Sequence, residues 1–147
     1  MEQLKEALSA AGIAYKENEP LCAHCTFRIG GPADLFVLPE NEEQLCAAIR
    51  LAKEAGVKSY LLGNGSNILF EDAGYRGAVI NVSAMKSGIG VIENISFPGK
   101  DPALTYDAVV VGAGQMLSSL CMAALENSLT GLEFAYGIPG TVGGAVY

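Results

Sequence analysis

Residues 34–62 impose the firmest constraint on what this chain can build. Asp34-Leu35-Phe36-Val37-Leu38 has the composition of a β-strand and is stopped by Pro39. Asn41 then suits a helix N-cap, with Glu42 and Glu43 in the first turn and Gln44 at the capping-box position. Leu45, Ala48, Ile49 and Ala52 recur at helical spacing and are expected to form its buried stripe, and Gly56 stands where such a helix ends. Residues 57–62 supply a second strand. Strand, helix and strand of these lengths predict a parallel crossover unit of right-handed sense.

Upstream, Leu4, Ala7, Leu8 and Ala11 predict a short helix ending at Gly12, followed by extended or irregular chain to Pro20. Downstream, short β candidates at 68–70, 78–82, 89–97 and 108–111 alternate with turn-rich stretches. The clearest of these are Asp72-Ala73-Gly74-Tyr75-Arg76-Gly77 and Pro98-Gly99-Lys100-Asp101-Pro102. A second amphipathic helix is predicted over 117–127, with Leu117, Leu120, Cys121, Ala124 and Leu125 on one side. The expected class is α+β, one βαβ unit followed by a mostly β region with an inserted helix. It divides into a first subdomain at 1–60 and a second at 61–147. Residues 134–147 carry no predicted helix or strand, and a chain that stops inside such a loop reads as cut short.

Charge narrows the choice of partner. Nine basic residues stand against sixteen acidic ones, a net charge of −7, so neither a nucleic-acid surface nor an anionic membrane surface is expected. A phosphate bound here has to rely on backbone N–H groups. The N-terminus lacks the cationic and apolar segments of a signal peptide, and no apolar run approaches the roughly 20 residues of a membrane span. A cytoplasmic protein is expected.

Three glycine-rich segments are candidates for that backbone role. Gly63-Asn64-Gly65-Ser66-Asn67 lies between two β candidates, where converging amides suit an anion and Asn-Gly equally suits a hairpin turn. Gly112-Ala113-Gly114 follows an apolar run and leads into a helix, imitating the start of a dinucleotide fingerprint. The imitation fails where a third glycine belongs, since Leu117 stands there, and Glu133 follows a helix and turn rather than a strand. A tight turn beside a ligand suits it better. Gly137-Ile138-Pro139-Gly140-Thr141-Val142-Gly143-Gly144-Ala145 is too apolar for a linker and reads as an ordered loop shaped around something.

Catalytic side chains are harder to find. Cys22-Ala23-His24-Cys25 raises zinc or thiol redox chemistry, but His24 is the single histidine and there is no second CxxC. A redox CxxC opens a helix, whereas Thr26-Phe27-Arg28-Ile29 reads as extended; reduced cytosolic thiols and no metal are expected. Glu2, Glu6, Glu42, Glu43 and Glu54 form a solvated face. A binding apparatus without obvious catalytic groups fits a redox cofactor that carries the chemistry itself.

Three segments in this order and spacing resemble the UDP-N-acetylenolpyruvoylglucosamine reductase family. They are His24-Cys25-Thr26-Phe27-Arg28-Ile29-Gly30-Gly31-Pro32-Ala33-Asp34, residues 62–69 with 72–77, and Gly131-Leu132-Glu133-Phe134 running into 137–147. The resemblance covers nearly all of the chain from about Pro20 onward. It implies an FAD-binding domain of the vanillyl-alcohol-oxidase/PCMH type, two small α/β subdomains with the cofactor pyrophosphate on backbone amides. Cofactor roles follow for Gly63, Asn64, Gly65, Ser66 and Asn67, and for Gly137, Ile138, Pro139, Gly140, Thr141, Gly143, Gly144 and Ala145, with Gly112, Ala113 and Gly114 close by. The family's chemistry implies NADPH as the donor to FAD and an enolpyruvyl UDP-sugar as the acceptor, in peptidoglycan synthesis. Its catalytic arginine, serine and glutamate lie beyond Tyr147, so no catalytic residue is assigned here and the chain alone is expected to be inactive. Cys25 stands where a small hydroxylated residue is usual, which implies packing, and residues 86–107 are longer and more irregular than the family pattern. Another FAD-linked oxidase of the same fold and a non-catalytic binding module are the alternatives.

Overall fold

The computed structural model describes residues 1–85, 88–95, 101 and 105–147. Helix α1 spans Glu2–Ala10 and buries Leu4 and Leu8, one turn apart. Its Lys5 ammonium meets Glu17 and Glu2 at 2.6 and 2.7 Å. The hydrogen bond that Lys5 donates to Glu17, then the one it donates to Glu2, holds it above the usual lysine range. Strand β1 follows at Ala14–Pro20, where only extended or irregular chain is legible in the sequence. The segment is an edge strand with mostly exposed side chains, so it lacks the apolar alternation that marks a half-buried strand.

Strand β2 (Pro32–Leu38) pairs antiparallel with β1, Tyr15 opposite Val37. Helix α2 (Glu42–Glu54) begins as its sequence predicts, with the Asn41 side chain accepting from the Gln44 amide at 2.9 Å. The Gln44 side chain returns the bond, accepting from the Glu40 amide at 2.8 Å. Strand β3 (Ser59–Leu62) and strand β4 (Tyr75–Asn81) complete a four-stranded sheet of order β1-β2-β4-β3. The predicted crossover unit therefore forms around a third strand. β2 and β3 do not pair with each other; each runs parallel to β4, which lies between them.

The inner strands β2 and β4 are buried on both faces. Leu35, Val37, Ala78 and Ile80 pack with Leu4, Leu8, Ala48 and Ala52 of the two helices. Phe36, Val79, Ala33 and Leu62 face the other way, onto Leu21, Cys25 and Phe70. A register shift between Ala33 and Leu35 accompanies the placing of these two residues on opposite faces. Two-sided burial explains why β2 and β4 read as continuous apolar runs. Phe36, 1% exposed, is the largest fully buried side chain, and its loss would cost about 3–5 kcal/mol.

Strands β5 (Gly90–Ile95) and β6 (Tyr106–Val110) form a separate antiparallel pair. Residues 96–97 of the expected strand, and the expected turn at 98–102 apart from Asp101, lie outside the described residues. Helix α3 (Leu117–Glu126) buries Leu117, Leu120, Cys121 and Ala124, whereas Leu125, expected on that side, is 68% exposed.

Other local expectations give way. Residues 68–70 form no strand; Phe70 is in the core and Leu69 exposed, so the apolar run serves burial rather than a ladder. Thr26 and Phe27 lie in a turn instead of extended chain, because Arg28 adopts φ 55° and its amide donates to the Cys25 carbonyl at 3.3 Å. A short turn at Glu133–Ala135 and helix α4 (Val142–Val146) occupy the C-terminal stretch that showed no periodicity. The α4 cap comes from Thr141, whose hydroxyl accepts from the Gly144 amide at 3.3 Å.

Candidate functional site

The three glycine-rich segments, far apart in sequence, meet at the C-terminal end of β3 and β4. Ser66 of the first donates its hydroxyl to the Pro139 carbonyl of the third at 2.9 Å. The Gly143 amide of the third donates to the Ala113 carbonyl of the second at 2.9 Å. The Gly114 amide reaches the Met85 carbonyl, just past β4, at 3.3 Å. An isolated bridge between Met116 and Thr141 completes the seam.

Beside the seam lies an open cleft of about 530 Å³, within the range of small-molecule and cofactor sites. Its walls include Thr26, Arg28, Gly63, Asn64, Asn81 and Ser83, and no carboxylate lines it among the described residues. The first loop is fastened from behind. The Gly63 carbonyl accepts from Asn81 Nδ2 at 3.0 Å and from the Ser83 hydroxyl at 2.8 Å, and Asn81 Oδ1 accepts the Ser83 amide at 3.0 Å. From the other side, the Thr26 amide donates to the Gly65 carbonyl at 3.0 Å and the Thr26 hydroxyl to the Ser66 carbonyl at 3.2 Å.

Two glycines are dictated by this packing. A Cβ on Gly63 would sit 2.5 Å from the Thr141 hydroxyl oxygen, and one on Gly65 would run into the His24 carbonyl. Gly65 also holds φ +64°, a conformation costly for a residue with a side chain. These glycines let loops touch each other as much as they clear a path for a ligand.

The carbonyls of Gly63, Gly65 and Ser66 are thus occupied while the amides that follow Gly63 are not. Among the described residues, the N–H groups of Asn64, Gly65, Ser66 and Asn67 donate to no acceptor, although Gly65 is buried. A buried, unmatched backbone donor such as that of Gly65 is rare in a folded protein, and consecutive open N–H groups around a left-handed residue are a backbone arrangement able to take an anion. In the third segment the amides of Ile138, Val142, Gly143, Gly144 and Ala145 are spent on Ala135, Gln115, Ala113 and Thr141, whereas those of Gly137, Gly140 and Thr141 meet no acceptor among the described residues, so this stretch both braces the first loop and keeps open donors of its own. The Gly112 carbonyl accepts the Gln115 amide in a tight turn, also behind the cleft.

His24 belongs to the wall. Its ring stacks on Phe36 at 4.1 Å, and its Nε2 lies 2.8 Å from Glu19 Oε1. Glu19 also receives Lys16 at 2.8 Å, and these bonds, Lys16 first and His24 second, hold its carboxyl below the usual range. Cys22, Cys25, Cys46 and Cys121 are free thiols, and Cys25 donates from Sγ to the Ile29 carbonyl at 3.3 Å. Among the described residues no three His, Cys, Asp or Glu side chains are grouped to hold a metal ion. Nor is any helix there long and apolar enough to cross a membrane.

Sequence reasoning missed Thr26, Asn81 and Ser83 as supports of the site, and Arg28 as part of the cleft wall. One signal was available. Asn81 and Ser83 interrupt the apolar run Ala78-Val79-Ile80, and a polar residue at a buried strand end usually has a hydrogen-bonding task.

Comparison with known proteins decides the family. A family profile described as FAD binding domain matches residues 33–147. The chain belongs to that FAD binding domain family. Over its whole length it is 40% identical to a UDP-N-acetylenolpyruvoylglucosamine reductase of Clostridium perfringens. It is 42% identical over 129 residues, 88% of the chain, to a protein of the same name in Alkaliphilus oremlandii. The chain spans less than half the length of these curated relatives, 45% and 38%. Among solved structures it is similar to the reductase of that name from Thermus caldophilus, with 28% identity and TM-score 0.56 over 91% of this chain and 41% of the other. A VAO-type flavoprotein of Myceliophthora thermophila, 16% identical over 67% of this chain and 18% of its own, shares the fold at TM-score 0.54. The α+β architecture is thus that of the vanillyl-alcohol-oxidase type of FAD binding domain.

Proposed function

We propose that the chain is the FAD-binding portion of an NADPH-dependent reductase that converts UDP-N-acetylglucosamine enolpyruvate to UDP-N-acetylmuramate. The observation that carries the binding role is the run of unengaged amides at Asn64, Gly65, Ser66 and Asn67 beside a cleft that no carboxylate lines among the described residues. The loop suits a diphosphate: consecutive N–H donors are unspent, and no described acidic side chain on the wall opposes the charge.

In this reading residues 63–67 hold the pyrophosphate, and Gly63 is kept in place by Asn81 and Ser83. Gly140, Thr141 and the neighbouring residues 137–145, with 112–114, fix the loop from behind so that its donors need no reorganisation on binding. FAD, when bound, supplies the hydride chemistry. The FAD-binding portion divides in this reading into a first subdomain at 1–60 and a second at 61–147. NADPH and the enolpyruvyl UDP-sugar would be handled with the portion present in the longer relatives, in peptidoglycan synthesis in the cytoplasm, and the chain alone would not turn over substrate.

Titration of the purified chain with FAD tests the binding role. Quenching of flavin fluorescence is the expected result, and unquenched fluorescence at high micromolar chain would refute it. The reductase role is tested in a longer protein containing this chain, with NADPH and the enolpyruvyl nucleotide sugar. Oxygen-driven turnover of a hydroxy acid instead would point to an oxidase.

A further inference from the structure

We propose that Arg28 is the side-chain clamp for the anionic group held by the amides of residues 64–67, closing a phosphate or pyrophosphate site from the lining of the cleft. The inference rests on the flavin reading for the identity of the ligand, and on Arg28 itself for the clamp.

Three observations converge on this residue. First, its guanidinium is unengaged. Of the three arginines, Arg50 and Arg76 pair with Glu54 and Asp34, whereas Arg28 makes no ion pair or side-chain hydrogen bond among the described residues. The residue is solvent-exposed, so its charge is open to a ligand, and it lines the cleft. Second, its backbone is held where a long side chain is disfavoured, at φ 55°. The turn is secured by the Arg28 amide on the Cys25 carbonyl and by Cys25 Sγ on the Ile29 carbonyl, and it keeps the residue on the lining of the cleft that Asn64 also lines. Third, the turn and the loop are tied together through Thr26, whose amide and hydroxyl engage the Gly65 and Ser66 carbonyls. The cation and the open amides thus belong to one bonded unit.

The chemistry is complementary. Backbone amides give a phosphate direction without charge, and a guanidinium gives it charge and a two-pronged bond. His24 lines the same cleft but already faces Glu19, so Arg28 is the cation available there among the described residues.

Binding of FAD, riboflavin and inorganic pyrophosphate to the wild-type chain and to Arg28→Gly and Arg28→Lys tests the clamp. Fluorescence reports the flavins, and amide chemical shifts of residues 64–67 report pyrophosphate. Glycine removes the cation while accepting the left-handed backbone, so unfolding is not the expected outcome, and a thermal melt checks this. Arg28→Gly should weaken FAD and pyrophosphate by about tenfold or more and leave riboflavin, which has no phosphate, unchanged. Arg28→Lys should recover part of the loss. Equal FAD and pyrophosphate affinities in wild type and Arg28→Gly would overturn the clamp and leave the flavin reading standing. Arg28-dependent pyrophosphate binding without FAD binding would keep the clamp and sink the flavin reading. Failure of the wild-type chain to bind either would overturn both.

Discussion

The Ser66 hydroxyl donates a 2.9 Å hydrogen bond to the carbonyl of Pro139, a residue 73 positions later in the chain. That bond joins the first glycine-rich loop to the third. Ser66→Ala should therefore lower stability by about 1 kcal/mol, read as a drop in the thermal midpoint. Faster amide exchange at residues 137–141 without matching change in α1 or α2 would locate the loss at the seam.

Gly65→Ala should be far more costly. The substitution forces a side chain into φ +64° and against the His24 carbonyl, so a loss of about 2–4 kcal/mol in denaturant unfolding is expected. Gly131→Ala is the control: its φ of +108° is strained too, but nothing lies within 4 Å of the added Cβ. A smaller effect there would isolate the packing component.

Asn81→Ala removes one of the two donors to the Gly63 carbonyl and an acceptor for the Ser83 amide. Its side chain is buried, so about 1–3 kcal/mol should be lost. Flavin fluorescence quenching should weaken in step, because the loop is no longer fixed. Unchanged quenching would show that the loop holds its shape without Asn81.

Stability should respond to acid through Glu19. Its carboxyl is held below the ordinary value of 4.5, by Lys16 first and His24 second, so the ionised form is favoured by folding. The corresponding stabilisation is present above pH 4.5 and is lost as pH falls through the lower folded value. Glu19→Gln should flatten that part of the stability curve. A parallel curve with the same acid slope would show that other carboxylates carry it.

Asn41→Ala should cost about 1 kcal/mol by removing the side-chain acceptor for the Gln44 amide. Far-ultraviolet circular dichroism during a thermal melt would register it.

Much of this architecture was legible beforehand where the cause is local. The Asn41 cap, the buried Ala48 and Ala52, and the ends of α1 and α2 near Gly12 and Gly56 depend on neighbours within a turn or two. β1 was not legible as a strand, because at an exposed edge the residues Lys16, Glu17 and Glu19 carry no burial signal. α4 was hidden for another reason: Gly143 and Gly144 are poor helix formers, and the short helix exists through the Thr141 cap and contacts to Ala113 and Gln115. The candidate site was half legible. Glycine content marked the loops, but nothing in their sequence distinguishes open amides from spent ones.

By itself the sequence determined which segments could be helices, strands or glycine-rich loops, since caps, periodicity and backbone freedom act over a few residues. Only the tertiary structure decided that β4 enters between β2 and β3, and that residues 63–67, 112–114 and 137–145 share one seam. It alone set Arg28 into the wall of the cleft that Gly63 and Asn64 also line. These are contacts across tens of residues, set by sheet order and two-sided burial, and no local pattern encodes which distant partner a loop will meet.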